Sequence, residues 1–92
     1  MKVVINTCFG GFGLSKEAYE FLGIEWDKFG YKYNDDDKRT DEKLIKCVET
    51  LGVKANGSCA SLKVVEIPDD VNWYIDEYDG METIEEVHRR WH

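Results

Sequence analysis

The loop at residues 10–13 constrains the fold more than any other part of the sequence. Its order Gly-Gly-Phe-Gly follows a short, β-branched apolar run at residues 2–6, and Ser15 then gives a helix-start signal. Glycine permits positive φ and close approach of another group, and it costs roughly 0.5–1 kcal/mol per position in regular structure. The three glycines of this glycine loop (residues 10–13) therefore predict either an unusual strand-to-helix turn or a surface that receives a ligand. The sequence leaves both open.

Length and charge limit the possible partners. The 92 residues are expected to form one domain, 1–92. A chain of this length buries only about 60–65% of its unfolded surface, so we expect a homo-oligomer to add stability. The net charge of −7 disfavours direct binding to nucleic acid or to an acidic membrane. A small anionic ligand is still compatible with this charge if a local basic pocket holds it.

The cysteine pattern bears on metal sites and on the compartment. Cys8, Cys47 and Cys59 are odd in number and widely spaced, without a C-x-x-C pair. This argues against a disulfide framework or a zinc site, so we expect reduced thiols, no metal and no cofactor. The sequence has no signal-peptide pattern, and no apolar stretch approaches the roughly 20 residues that span a membrane. A cytoplasmic protein is therefore predicted.

Capping residues predict two helices in the first half of the chain. Ser15 is a good N-cap for a helix over residues 16–22, and Gly23 ends it. Thr40 or Asp41 caps a second helix that runs to residue 51, with Gly52 as its C-cap. One apolar face of that helix is formed by Leu44, Ile45, Val48 and Leu51. Cys47 borders this face and is predicted to be a core residue.

The second half of the chain has the pattern of strands followed by a helix. Residues 62–67 and 71–78 are predicted strands, and the Pro68-Asp69-Asp70 segment between them favours a hairpin. Tyr31 and Tyr33 alternate as in a strand, and residues 34–37 are typical of an exposed loop. Residues 81–91 carry Ile84, Val87 and Trp91 at helical spacing. The sum is a small α+β domain with a mostly antiparallel sheet and two to three short helices.

Two places in the sequence could hold an anion. The glycine loop can offer backbone N–H groups, although its G-G-x-G pattern is neither a Walker loop nor a full dinucleotide fingerprint. Arg89 and Arg90 lie beside Trp91 at a basic, aromatic C-terminus, where a guanidinium can hold phosphate and an indole can stack. The predicted ligand-binding residues are Arg89, Arg90, Trp91, Phe9, Gly10, Gly11, Asn72 and Asn56.

A catalytic role for Cys8 is disfavoured. A thiol near a helix start can be nucleophilic, but it still needs a base, and His88 and His92 are the chain's histidines. Paired carboxylates such as Asp69-Asp70 come without a histidine or lysine partner in the pattern and are typical of surface charge. We therefore predict that the protein is not an enzyme.

Both ends of the chain resemble a family of small proteins encoded by bacteriophages and prophages. The resemblance rests on Ile5–Phe12 with Leu14-Ser15, on Val64–Asp69 and Trp73–Gly80, and on the closing His88-Arg89-x-Trp91. It covers most of the chain. Family members carry a longer insert where this chain has only residues 34–40, so ligand contacts that such an insert supplies are not expected here. The resemblance implies a counter-defence protein that sequesters nucleotide immune signals, such as the Thoeris anti-defence sponges.

These observations give two main hypotheses. In the first, a phage-encoded protein captures a small nucleotide-like ligand without turnover, with arginine on phosphate and aromatic rings on the base. The alternative is an acidic protein–protein inhibitor of a host enzyme, in one form a DNA mimic, that uses residues 35–37 (Asp-Asp-Asp). A small hydrolase based on Cys8 and a structural part of the phage particle are further options.

Overall fold

The apolar run at the start of the chain forms a buried strand. The computed structural model describes residues 1–87, and Val3, Val4 and Ile5 are all buried in it. Within this range the elements, in chain order, are β1 (Lys2–Asn6), α1 (Lys16–Leu22), a 3₁₀ helix (Asp36–Lys38), α2 (Glu42–Leu51), a second 3₁₀ helix (Gly52–Ala55), β2 (Leu62–Glu66), β3 (Trp73–Tyr78) and β4 (Met81–Glu86). The α+β prediction is confirmed, and none of the described helices is long and apolar enough to cross a bilayer.

Both helices begin and end where the capping residues predict. The Ser15 hydroxyl accepts a hydrogen bond from the Ala18 N–H, and Gly23 ends α1 with φ of 72°. The Asp41 carboxylate accepts from two N–H groups in the first turn of α2, so it is Asp41 and not Thr40 that caps this helix. Gly52 follows α2 at φ 58°. These ends depend on contacts between near neighbours in sequence.

α2 packs on one face of the β1–β2 sheet, α1 packs against α2, and together they build the main core. Val4 lies on this face, opposite Val64 in the antiparallel register. Leu44, Cys47 and Val48 pack from α2, which confirms the predicted apolar face. The buried members of the core are Val4, Phe12, Leu14, Ala18, Tyr19, Leu44, Cys47, Val48 and Ala55.

The predicted hairpin between residues 62–67 and 71–78 is wrong. β2 pairs antiparallel with β1 instead, and the Ile67 N–H donates to the Met1 carbonyl at 2.8 Å and extends that ladder. β3 pairs with β4 in a separate two-stranded sheet. The reason is that β1 and β2 bury a shared apolar face, and a turn signal at Pro68 cannot outweigh that burial. Residues 67–72 therefore connect two sheets.

The predicted helix over residues 81–91 is also wrong where the structure describes it, because residues 81–86 form β4. Asp79 and Gly80 both have positive φ, 51° and 88°, and join Tyr78 directly to Met81 as a two-residue hairpin turn. Asp-Gly is a strong signal for this turn, whose twist matches that of paired strands. Pairing with β3 through this turn is therefore favoured over the helix that the apolar spacing predicted, in a segment that also contains three glutamates.

The aromatic segment before the first 3₁₀ helix has no strand, so the strand that Tyr31 and Tyr33 indicated does not form. The Tyr31 ring stacks on Phe29 instead, with centroids 6.2 Å apart and planes 18° apart. Asp36 and Asp37, in the predicted loop, are exposed and begin the 3₁₀ helix.

A buried ion pair fixes the β3–β4 hairpin to the rest of the molecule. The Arg39 guanidinium donates to both carboxylate oxygens of Glu82, at 2.6 and 2.8 Å, and the two side chains are 2% and 7% exposed. The Phe12 ring centre lies 3.7 Å from the guanidinium carbon. The Asn6 N–H also donates to Glu82, and the Asn6 side-chain amide donates to the Gly80 carbonyl. Each charged or polar group in this cluster is therefore partnered.

Candidate functional site

The glycine loop forms one wall of a cleft of about 280 Å³. Three segments line it: the glycine loop with residues 14–16, residues 56–59, here called the floor, and Trp26, Lys28, Phe29 and Tyr31, here called the aromatic wall. These three segments are far apart in sequence, so the cleft exists only in the folded chain.

Glycines bring the three segments into backbone contact. The Leu14 N–H donates to the Gly30 carbonyl at 3.0 Å, and the Gly57 N–H donates to the Gly13 carbonyl at 2.9 Å. A Cβ at Gly57 would lie 2.9 Å from the Gly13 carbonyl carbon, and a Cβ at Gly30 would overlap the Leu14 backbone. No larger residue allows these approaches, so the glycines shape the cleft from behind its surface.

Gly10 and Gly11 show that the glycine loop is both a packed turn and an open wall. Gly10 has φ of 120°, and a Cβ there would lie 2.8 Å from the Cys59 Cβ. Its N–H donates to the Asp79 carbonyl, which ties the loop to the hairpin turn. Gly11 has φ of 100°, but a Cβ there would meet no other atom within 4 Å. Gly10 therefore fits the turn alternative, Gly11 leaves open space beside the loop, and a ligand-receiving surface at this loop stays a prediction.

A hydrogen-bonded turn holds the aromatic wall in place. One carboxylate oxygen of Asp27 accepts from the N–H groups of Phe29 and Gly30, and the other accepts from the Tyr19 hydroxyl at 2.8 Å. The Gly30 N–H is the main cause of a lowered Asp27 pKa. Burial raises the pKa of Tyr19 to about 12, so this hydroxyl stays protonated as a donor. Lys28 completes the turn with φ of 72°, an uncommon conformation for a residue with a side chain.

The cleft is locally basic in an acidic protein. Lys16 and Lys28 line it, and no aspartate or glutamate among residues 1–87 does, although 19 of the chain's 92 residues are acidic. The lining therefore offers two cationic hydrogen-bond donors and, among residues 1–87, contains no carboxylate.

The wall also offers flat apolar surface. Phe29 is 70% exposed and Tyr31 is 57% exposed, and they lie as a stacked pair. Trp26, in the same wall, packs edge-on against Tyr19 with ring centroids 5.0 Å apart. An aromatic platform beside cationic groups can accept a planar ring that carries negative charge.

Three of the predicted binding residues lie together in this cleft. Gly10, Gly11 and Asn56 all line it. Part of the Asn56 side chain has a structural task, because its carbonyl oxygen accepts from the Leu62 N–H at 2.9 Å. The sequence therefore located one wall and part of the floor.

Two other predicted residues lie outside the cleft lining, and three lie outside the described residues. Phe9 is exposed on the turn before the glycine loop, outside the cleft lining. Asn72 lies at the open end of the hairpin, where its carbonyl accepts from the Val87 N–H. Arg89, Arg90 and Trp91 lie outside the described residues, so their contribution stays a prediction from sequence.

Sequence reasoning missed the two lysines and the aromatic wall. The sequence did not mark Lys16 as a cleft residue, because it is the first residue of a helix. It did not mark Lys28, because residues 25–33 have neither a helical nor a strand periodicity. A usable signal was present in Asp27 followed by Gly30, since an aspartate at the start of a turn accepts N–H groups two and three residues later.

Within residues 1–87 no group of three or more histidine, cysteine, aspartate or glutamate side chains is placed to hold a metal ion. Comparison with protein-family models, with curated proteins and with solved structures finds no match to this chain. The geometry and charge of the cleft therefore carry the functional assignment.

Proposed function

We propose that this protein captures a small, anionic, nucleotide-like ligand in the cleft and holds it without chemical turnover. In this proposal the protein is a bacteriophage-encoded counter-defence factor in the cytoplasm of the host cell, where it sequesters a nucleotide immune signal. The observation that supports it is the composition of the cleft lining. Among residues 1–87 this lining contains two lysines, two exposed aromatic rings and no carboxylate, in a chain of net charge −7.

The cleft groups match the two halves of a nucleotide. Lys16 and Lys28 would neutralise phosphate, each as a compact cation with several N–H donors. Phe29 or Tyr31 would stack on the base, a contact worth roughly 1–3 kcal/mol in single-stranded nucleic acid complexes. Gly11 has no side chain and has open space beside it, so a ligand could approach the backbone of the glycine loop closely.

Sequestration needs affinity, and affinity improves when the site is ordered before the ligand arrives. The Asp27 turn and the buried Tyr19 hydroxyl fix the aromatic wall in the free protein. Cys8, the candidate nucleophile, is exposed but does not line the cleft. These features favour a holding function over hydrolysis.

The C-terminal residues enter the proposal from the sequence. Arg89 or Arg90 adds a phosphate contact, and Trp91 adds a stacking surface. A homo-oligomer would allow one subunit to supply these groups to the cleft of another.

Native mass spectrometry tests the proposal. The protein is purified, then mixed with a panel of cyclic and linear nucleotides. We expect a retained ligand of unchanged mass at fixed stoichiometry, and the same spectra give the oligomeric state. An unliganded protein across the whole panel, or a ligand of altered mass, would contradict the proposal.

Matched lysine variants test the site. Lys16→Ala with Lys28→Ala should weaken binding about tenfold or more, because each removes a charge-assisted contact. Lys43→Ala with Lys46→Ala removes the same charge from the exposed side of α2 and should leave affinity nearly unchanged. Equal losses in both double variants would mean that overall charge, not the cleft, determines binding.

A further inference from the structure

Among residues 1–87, the β3–β4 hairpin presents an exposed sheet face on the side away from its buried residue. Side chains alternate along each strand, and directly paired residues share a face. Glu82 points inward to Arg39, so the outward face carries the pairs Tyr74 with Glu85, Asp76 with Thr83, and Tyr78 with Met81. Tyr74 is 50% exposed and Tyr78 is 73% exposed.

The excess negative charge of the protein is concentrated in residues 64–87, which include the hairpin. Residues 1–63 contain ten acidic and ten basic side chains, whereas residues 64–87 contain nine acidic and no basic ones. Glu82 is neutralised by Arg39, but within residues 1–87 no ion pair engages Asp76, Glu77 or Glu85. Six of the nine acidic residues lie in the hairpin, residues 73–86, and two of these, Asp76 and Glu85, lie on its outward face, whereas the side-chain charges of residues 1–63 balance.

We infer that the outward face of the hairpin docks onto a basic protein surface of the kind that binds nucleic acid. Charge complementarity identifies the partner, because this face attracts cationic surfaces and repels nucleic acid and acidic proteins. The two tyrosines supply apolar contact area with a polar end, which is the side-chain type enriched at protein interfaces. The exposed carboxylates attract a cationic surface, and the tyrosine side chains add contact area at a fixed place on the hairpin.

This docking surface is separate from the cleft and does not depend on the proposed ligand. The hairpin face is formed by side chains of residues 74–85, whereas the cleft is lined by residues 10–16 and 56–59 and by the aromatic wall. It also differs from the acidic run at residues 35–37, which the sequence indicated for a protein partner. That run is charged and exposed but has no aromatic side chain within it.

Binding to defined basic proteins tests the inference. The probes are a purified restriction endonuclease and a purified nucleoid-associated DNA-binding protein, each titrated with the fluorescently labelled full chain. We expect saturable binding to at least one probe, weakening with added NaCl and displaced by a short DNA duplex.

Two hairpin variants and a charge-matched control locate the contact. Asp76→Asn with Glu85→Gln, and separately Tyr74→Thr with Tyr78→Thr, should each weaken binding about tenfold. Asp35→Asn with Asp37→Asn removes two charges elsewhere and should change affinity less than about twofold. Threonine keeps a β-branched side chain in the strand, and circular dichroism checks that each variant folds.

Other outcomes overturn the inference. If the protein binds neither probe, the proposed basic partner is wrong. If hairpin and control variants lose equal affinity, net charge and not the hairpin face determines binding. If the tyrosine variant instead abolishes a dimer seen by sedimentation, a second copy of this chain covers the face. None of these results bears on nucleotide retention in the cleft, so the two proposals fail independently.

Discussion

The body of the protein (α1, α2, β1 and β2) and the hairpin (β3 and β4) are stabilised by different kinds of contact. The body buries a continuous set of apolar side chains around Val4, Tyr19 and Leu44. In the hairpin, residues 73–86, the single buried residue is Glu82, whose charge is held by Arg39. Apolar packing is non-directional, whereas a bidentate ion pair has one geometry, so the comparison separates what makes the fold stable from what sets the hairpin's position.

Buried ion pairs add little net stability, because desolvation of two charges offsets their attraction. Removing one partner is costly, since the other charge is left buried. Arg39 also donates to the carbonyl oxygens of Tyr33 and Asn34, so it organises the segment between the cleft wall and α2 as well. We therefore expect the hairpin to be well placed but weakly held.

Glu82→Leu should have the largest effect. It leaves the Arg39 guanidinium buried without a counter-charge and the Asn6 N–H without its acceptor, at a cost of about 3–5 kcal/mol. Urea unfolding measures the loss, and amide hydrogen exchange should show β3 and β4 opening more than β1. Uniform loss of protection through the whole chain would contradict the division into body and hairpin.

Leu44→Ala should cost about 3 kcal/mol, within the range for a fully buried leucine. Because Leu44 belongs to the main core, the variant should lower protection in both helices and in β1 together. Comparing the amide exchange patterns of Leu44→Ala and Glu82→Leu tests the division into body and hairpin more directly than the free energy of unfolding does. A loss confined to α2 would mean that the body is not one cooperative unit.

Asp27→Asn should give a smaller, pH-dependent effect on the aromatic wall. The folded state lowers the Asp27 pKa below its ordinary 3.8, so this carboxylate contributes stability above that pH and loses it as the pH falls through the lowered value. The stability gap between wild type and variant should therefore be full at neutral pH and narrow below about pH 4. A gap that is constant with pH would show that the charge of Asp27 is irrelevant.

Thiol labelling perturbs the protein least, and the buried thiol of Cys47 reports on the body. Cys8 and Cys59 are exposed and should react with DTNB in the folded protein, whereas Cys47 is buried and should react only after unfolding. Burial raises the Cys47 pKa to about 11, which slows reaction further because the thiolate is the nucleophile. In Glu82→Leu, Cys47 should stay protected at urea concentrations where hairpin amides already exchange.

The cleft was predictable only in part. Gly10, Gly11 and Asn56 stand out in the sequence because glycine and asparagine clusters mark unusual backbone. Lys16 and Lys28 do not, because an exposed lysine has no pattern that separates a ligand contact from a solubilising charge. Their significance comes from lining the same cleft, whose lining contains no carboxylate among the residues that the structure describes.

The sequence by itself determined the local structure: the buried first strand, the caps at Ser15, Gly23, Asp41 and Gly52, and the apolar face of α2. Each depends on groups within a few residues of one another, so local free energies decide it. Only the tertiary structure decided that β2 pairs with β1, that residues 81–86 are a strand, and that Arg39 meets Glu82 across 43 residues of chain. Those outcomes follow from which surfaces can be buried together, and a turn or helical spacing along the chain does not contain that information.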